Sequence, residues 1–398
     1  MQVCIFPNLE EIHLTKMNML TDIWQTKVSV DSFSSLISVK IEECNKLDKI
    51  FPSHMRGWFE SLDNLKVYLC NSVEVIFEIN NSQEIDEFGG IDTNLQVIIL
   101  EDLPKLKQLW STDPNGILNF KKLRTIEVNS CDELKNLFPV SVAKDIPKLE
   151  HMSVLYCFEM EEIVASQDEL EANKDLLVFP ELTSVRLHRL PDLKYFYKKK
   201  YPIKCPKLKE LSVTECEKLK AFLKDTTKTT DKGRNFVFSI EEVFPNLEYM
   251  EIDFKEAQEL LPKYQMQRLK ELSLISVESV DLLNQFPYRT PNLEKLKLES
   301  YGLKVLAPKA NNGRQKGLGI ALQLKELIFS NSNIKDLGFE RGQVLQRLEV
   351  SFAYTEFLRL DDNIIKQVWD DTHRGQQNNF GYLKRLRSYM YGIAVKQR

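Results

Sequence analysis

The sequence predicts an α/β solenoid, a horseshoe with a parallel β-sheet on its concave face and short helices or loops on its convex face. Three observations lead there. First, the chain says nearly the same thing twice: "CNKLDKIFP" occupies residues 44–52 and "CDELKNLFP" residues 131–139, 87 residues later, with Cys, Leu, Phe and Pro at matching places. Second, both strings belong to a longer unit. "FSSLISVKIEEC" leads to Cys44 and "FKKLRTIEVNSC" to Cys131, so each reads L-x-x-Φ-x-Φ-x-x-C-x-x-L-x-x-Φ-F, with Φ apolar. Third, 398 residues exceed what one hydrophobic core usually serves, whereas the apolar fraction of 43% is ordinary for a folded chain. An array of small stacked cores accommodates both facts.

The unit is close to the leucine-rich repeat, L-x-x-L-x-L-x-x-N/C-x-L. Its first apolar position recurs thirteen times, at Leu9, Leu36, Leu62, Leu95, Leu123, Leu149, Leu182, Leu208, Leu247, Leu269, Leu293, Leu324 and Leu345. A higher period overlies this one: Leu9 to Leu95 is 86 residues, and Leu95 to Leu182 and Leu182 to Leu269 are 87 each. The larger unit is therefore three repeats. Its first member lacks Cys and carries "LPKLKQLW" (103–110) or "LPDLKYFY" (190–197). Its later members carry Cys44 and Cys70, Cys131 and Cys157, then Cys216.

Each repeat opens with a short strand. In "LRTIEV", Leu123, Ile126 and Val128 point inward and alternate with Thr125, Glu127 and Asn129, the two-residue period of a strand with one buried face. One such unit cannot bury its apolar side alone, but stacked units bury a continuous core. Thirteen strands ~4.8 Å apart give an inner arc of roughly 60 Å. The Cys at the turn is small and packs well, with a weak hydrogen bond to the neighbouring loop. Residues 1–360 form the solenoid of about thirteen repeats; residues 361–398 are an irregular C-terminal segment, in which a truncated further repeat begins at Leu383. Within that segment, 364–386 echoes 105–126. With neither end visibly capped, the sequence reads as a slice of a longer array.

On the convex side, "SHMRGWFESL" (53–62) and "PVSVAKDIPKL" (139–149) fit short helices capped by Ser53 and Ser141, with Pro147 limiting the second. The polar spacers 80–92, 166–175, 224–235 and 311–319 read as surface loops. Trp24, Trp110 and Trp369 each close an apolar run at one repeat position, which fits outer-face packing or, alternatively, three binding hot spots.

Composition excludes several functions. A net charge of −4 lacks the basic excess of a general nucleic-acid binder, so no nucleic-acid partner is expected. No apolar run reaches the ~18 residues of a membrane span, and no signal peptide is visible at the N-terminus. Seven Cys without CxxC pairs suit a reducing compartment, cytoplasm or nucleus. Cys44 and Cys70 would stack on adjacent strands, but parallel side chains in a reducing compartment disfavour a bridge.

Familiar catalytic patterns are missing from the sequence. His13, His54, His151, His188 and His373 form no HExxH or paired zinc spacing. No G-x-S-x-G elbow occurs, and Glu161–Glu162 and Asp361–Asp362 read as solvated loop charges. The chain is expected not to be an enzyme and to need no cofactor or metal. "YFYKKKYPIK" (195–204) fits either a site for an acidic partner or nucleic acid or a solvated loop with buried aromatic stems. The remaining candidate surface is the concave strip of outward strand positions: Glu11, His13, Lys40, Glu42, Lys66, Tyr68, Glu127, Asn129, Arg186, His188, Tyr249, Glu251, Lys297 and Glu299. Mixed charge with Tyr on a curved sheet suits protein binding, although every solenoid also needs polar outward residues for solubility.

The runs "FPNLEEIHL" (6–14), "CDELKNLFPVSVAKDIPKLEHMSVLYCFEMEEIV" (131–164) and "FPELTSVRLHRLPDLKYFY" (179–197) resemble the C-terminal leucine-rich repeats of plant coiled-coil, nucleotide-binding immune receptors. The resemblance covers roughly residues 5–350, and the register loosens from Lys255, which stands where Cys is expected. It implies an intracellular, cytoplasmic recognition module. Its partners would be a pathogen effector, a guarded host protein, or the receptor's own nucleotide-binding module, which the repeats hold inactive. The G-x-x-x-x-G-K-[ST] phosphate loop of that module does not occur here; "GRNF" and "GRQKG" do not fit it. Two other readings stand beside this one. A ubiquitin-ligase substrate adaptor with Cys-containing repeats would need an F-box-like segment, and none precedes Leu9. A truncated receptor remnant is the other.

Overall fold

The anchor leucines set the strands. Each of Leu9 to Leu324 stands two residues ahead of a five-residue strand, and the same interval separates Leu345 from the last one. The computed structural model describes residues 6–24, 32–53, 60–79, 90–165, 177–197, 203–219, 244–261, 265–278, 289–300, 324–330 and 346–351. Among them thirteen strands form one sheet, in sequence order: Glu11–Thr15, Ser38–Glu42, Asn64–Tyr68, Val97–Glu101, Thr125–Asn129, His151–Leu155, Ser184–His188, Glu210–Thr214, Tyr249–Asp253, Glu271–Ile275, Lys295–Glu299, Glu326–Ser330 and Arg347–Ser351. All pairings are parallel and each strand joins its sequence neighbours in a constant register. The register thus continues past Lys255 without a slip.

The second and fourth residues of the strands from Ser38–Glu42 to Glu326–Ser330 make the core, with Ile12 and Leu14 of the first strand partly buried against it. Ile126 and Val128 are at most 1% exposed, as are Val39, Ile41, Leu65 and Val67. The anchor leucines and the turn cysteines pack beneath them: Leu36, Leu62, Leu123, Cys44, Cys70, Cys131 and Cys157 are 0–1% exposed. All six described cysteines are free thiols. Each turn Cys donates weakly to the carbonyl two residues back, as Cys70 Sγ does to Tyr68 at 3.2 Å, and Cys70 Sγ accepts the Cys44 N–H at 3.4 Å. Burial pushes the Cys70 thiol up to about 11 and those of Cys205 and Cys216 to about 12, so these sulfurs stay protonated packing groups rather than nucleophiles.

The chain leaves the sheet through a left-handed residue. Lys16, Glu43, Leu69, Asp102, Ser130, Tyr156, Arg189, Glu215 and Ser276 all have φ between 53° and 59°. L-residues enter that region at a cost. Here the turn offsets it, since the N–H of Glu43 reaches Tyr68 O at 3.0 Å and that of Leu69 reaches Glu101 O at 2.9 Å.

Behind the sheet lie elements that the alternation rule does not reveal. Lys49–Phe51, Val75–Phe77 and Gln108–Trp110 form a second parallel sheet, and Asn136–Phe138, Glu162–Val164 and Tyr195–Tyr197 a third. Their last residues stack. Trp24 lies 5.7 Å from Phe51, Phe51 5.5 Å from Phe77, and Phe77 6.0 Å from Trp110, with interplanar angles of 18°, 9° and 16°. Trp24 and Trp110 are thus interior rather than binding hot spots, at 2% and 4% exposure. Two-residue strands make a further tier; Ile91–Asp92, the end of the 80–92 spacer, pairs with Leu118–Asn119.

Helices are short. Val140–Lys144 occupies part of the expected 139–149 helix, but its N-cap is Pro139. Ser141 lies inside the helix and its hydroxyl goes to Asp113 instead, correcting its expected role as cap. A second helix, Phe254–Leu260, springs directly from the strand Tyr249–Asp253. It places Phe254 in the core where a turn Cys stands in earlier repeats, leaving Lys255 exposed. Residues 54–59 of the other expected helix, the spacers 166–175, 224–235 and 311–319, His54, His373, Trp369, and all of 361–398 lie outside the described residues. So do 198–202 of the Tyr/Lys stretch, whose Phe196 is buried at 6%.

Candidate recognition surface

The first, third and fifth positions of the strands from Glu11–Thr15 to Glu326–Ser330 form the open face of the long sheet, opposite the core. All fourteen residues expected on the concave strip stand there, half-buried or exposed. The parallel register sorts them into three rows. Glu11 and Tyr249 lie in the first row; His13, Lys40, Lys66, Glu127, Arg186, Glu251 and Lys297 in the central row; Glu42, Tyr68, Asn129, His188 and Glu299 in the last.

Local networks hold parts of this face. At the N-terminal end Lys40 Nζ lies 2.9 Å from Glu42 Oε2 and 5.5 Å from the Tyr68 ring centroid. The hydrogen bond from Lys40 holds the Glu42 carboxyl below its usual range, and burial raises the Tyr68 phenol. Asn129 donates to Glu101 at 3.2 Å. Around His188, Nδ1 meets Thr214 Oγ1 at 2.7 Å, the Tyr156 ring stands edge-on at 5.1 Å, and the Arg189 guanidinium lies 5.7 Å from that Tyr ring. Tyr156 and Phe158, the latter 45% exposed, add aromatic surface at this rim.

The face dips where small residues stand. Ser212, Thr214 and Ser273 point outward yet are 5%, 3% and 0% exposed, because larger neighbours overhang them. Ser212 and Ser273 donate to the two oxygens of Glu251, at 2.8 and 3.1 Å, and so fix its carboxylate. Burial, then the nearby Glu251 and Glu271, push the Tyr249 phenol well up. Val97 and Ile99, on a strand apolar at both faces, were not among the expected residues; they put an apolar spot between Lys66 and Glu127. Only the spatial register exposes that juxtaposition.

Among the described residues no group of three or more His, Cys, Asp or Glu could hold a metal ion. No described helix is long and apolar enough to cross a membrane. Glu161 of the acidic pair is bound by Lys194 at 2.8 Å.

The leucine-rich-repeat family described as plant disease resistance protein RPS2-like matches residues 8–158 and 147–229, together more than half of the chain. The chain belongs to that family. It is similar to a probable disease resistance protein of Arabidopsis thaliana, 26% identical over 145 residues, covering 34% of this chain and 14% of the relative. A putative disease resistance protein of the same plant is 28% identical over 153 residues, covering 38% and 11%. The Arabidopsis disease resistance protein SUMM2 is 31% identical over 98 residues, covering 25% and 10%. The chain thus matches about a seventh or less of the length of these relatives. It is thus an RPS2-like leucine-rich-repeat module of a plant disease resistance family.

Proposed function

We propose that the open face of the long sheet is the surface on which this module recognises a protein: a pathogen effector or a host protein that effectors modify. In a full receptor the same module would restrain a nucleotide-binding switch, in the cytoplasm. One observation carries the reading. The central row presents Lys66, Glu127, Arg186 and Lys297 with no ion pair among the described residues, whereas charges at the sheet's edge are paired, as Lys270 is with Glu248 at 2.8 Å and Lys325 with Glu294 at 2.9 Å. Unpaired charges on a rigid sheet give specificity and steer encounter.

The test is Glu127→Lys combined with Arg186→Glu in a receptor carrying this region. Both side chains are exposed and the fold should survive, as circular dichroism will show. Loss of effector-triggered cell death, or its onset without effector, supports the reading. An unchanged response with an intact fold overturns it.

A further inference from the structure

After His13 and Lys40, which precede Lys66 on consecutive strands, the central row from Lys66 to Lys297 alternates charged with uncharged residues, and the sign of the charge alternates too. Across the register Lys66 is followed by Ile99, Glu127 by Ser153, Arg186 by Ser212 and Glu251 by Ser273, before Lys297. The face therefore reads plus, minus, plus, minus, plus, one charge at every second strand. With strands ~4.8 Å apart, successive charges stand roughly 9.6 Å apart and like charges roughly 19 Å apart. The interleaved residue keeps opposite charges from neutralising each other. Glu251, the one member with hydrogen bonds of its own, is held by serine hydroxyls that leave its charge intact.

We propose that this row binds an extended segment of a partner protein, in polyproline-II conformation, with charges of alternating sign at every third residue: acid-x-x-base-x-x-acid-x-x-base-x-x-acid. The proposal rests on the reading of the open face as the recognition surface and gives the partner's chemistry. The conformation follows from the spacing. A polyproline-II helix returns to one face every three residues and advances about 9.3 Å in doing so. Over four intervals it slips only about 1 Å against the row. An α-helix returns to nearly the same face after seven residues, about 10.5 Å, and slips about 4 Å over the same length. A β-extended segment turns its third residue to the opposite side. Ile99 offers an apolar seat for a proline ring at the first interval.

The probe is the synthetic peptide Glu-Pro-Pro-Lys-Pro-Pro-Glu-Pro-Pro-Lys-Pro-Pro-Glu, titrated into the full chain by fluorescence anisotropy. The controls are the sign-reversed peptide and one with charges at every fourth residue. The patterned peptide should bind about tenfold tighter than either control, an advantage built from several weak exposed pairs and shrinking with salt. Glu127→Lys with Arg186→Glu should abolish it, and reversing Lys66, Glu127, Arg186, Glu251 and Lys297 together should switch preference to the sign-reversed peptide. Equal binding of the three peptides, no binding, or binding indifferent to these variants overturns the proposal. If that happens while the same double variant still alters the receptor response, the recognition reading stands and only the partner chemistry falls; if the response is also unchanged, both fall.

Discussion

Replacing Phe77 by Ala tests whether the aromatic stack is a structural spine. Phe77 is 1% exposed. Its ring lies 5.5 Å from Phe51, 6.0 Å from Trp110 and 5.9 Å, edge-on, from Phe120. Truncation removes these ring contacts, worth about 0.5–1.5 kcal/mol each beyond area burial, and opens a hole bounded by rigid rings that collapse poorly. The expected loss is about 3–5 kcal/mol, the range for a buried Phe. Phe77→Leu, which refills most of the volume, should cost about 1–2 kcal/mol. Phe158→Ala, at 45% exposure, should stay within about 0.5 kcal/mol of wild type. Because repeats couple to nearest neighbours, the loss should fall on the strands flanking Phe77. Urea unfolding followed by circular dichroism gives the magnitude. Hydrogen exchange with mass spectrometry should show faster exchange in Ser38–Glu42, Asn64–Tyr68 and Val97–Glu101 before strands farther along. A Phe77→Ala loss below about 1 kcal/mol, or an equal loss in Phe77→Leu, would refute the reasoning.

Three further outcomes are expected. Trp24 Nε1 donates to Ile50 O at 2.6 Å while the buried Trp110 Nε1 has no partner among the described residues, so Trp24→Phe should destabilise by about 1 kcal/mol more than Trp110→Phe in urea titration. Burial and then the neighbouring acids push Asp253 up to about 6 from 3.8. The folded state thus binds the proton more tightly than the unfolded one, and its contribution to stability is fully present below about pH 4 and fades as pH rises through about 6. Chemical unfolding across this window should show that slope, and Asp253→Asn should flatten it. The six buried thiols should resist iodoacetamide under native conditions and react on unfolding, as read by mass spectrometry of each Cys peptide.

The strands of the long sheet were legible because their signal is local. An anchor leucine followed by two apolar residues on alternate positions fixes a strand and its buried face, even at Lys295–Glu299, beyond the point where the Cys pattern lapses. The strand Val75–Phe77 was not legible, because three residues hold too little alternation to distinguish a strand from a turn. Phe254–Leu260 escaped because its helix replaces a turn whose signature is a cysteine, and Lys255 looked like a defect. Ser141 misled because a cap-forming residue one place inside Val140 resembles a cap in the sequence. On the open face, polarity identified the candidates, but polarity does not determine exposure: Ser212 and Ser273 are sunken beneath longer neighbours. The alternating row was invisible in the linear sequence because spacers of unequal length separate its members.

Those unequal spacers carry a consequence for how such a surface changes over generations. Anchor-to-anchor distances range from 21 to 39 residues, yet the pairing register never shifts. Length variation between anchors leaves the pairing register, and so the place of each outward letter, unchanged. Lys66, Glu127 and Arg186 point away from the core, so a codon change at one rewrites a single character and leaves the others readable. A recognition module of the kind proposed can therefore edit its address one position at a time without refolding the page on which it is written.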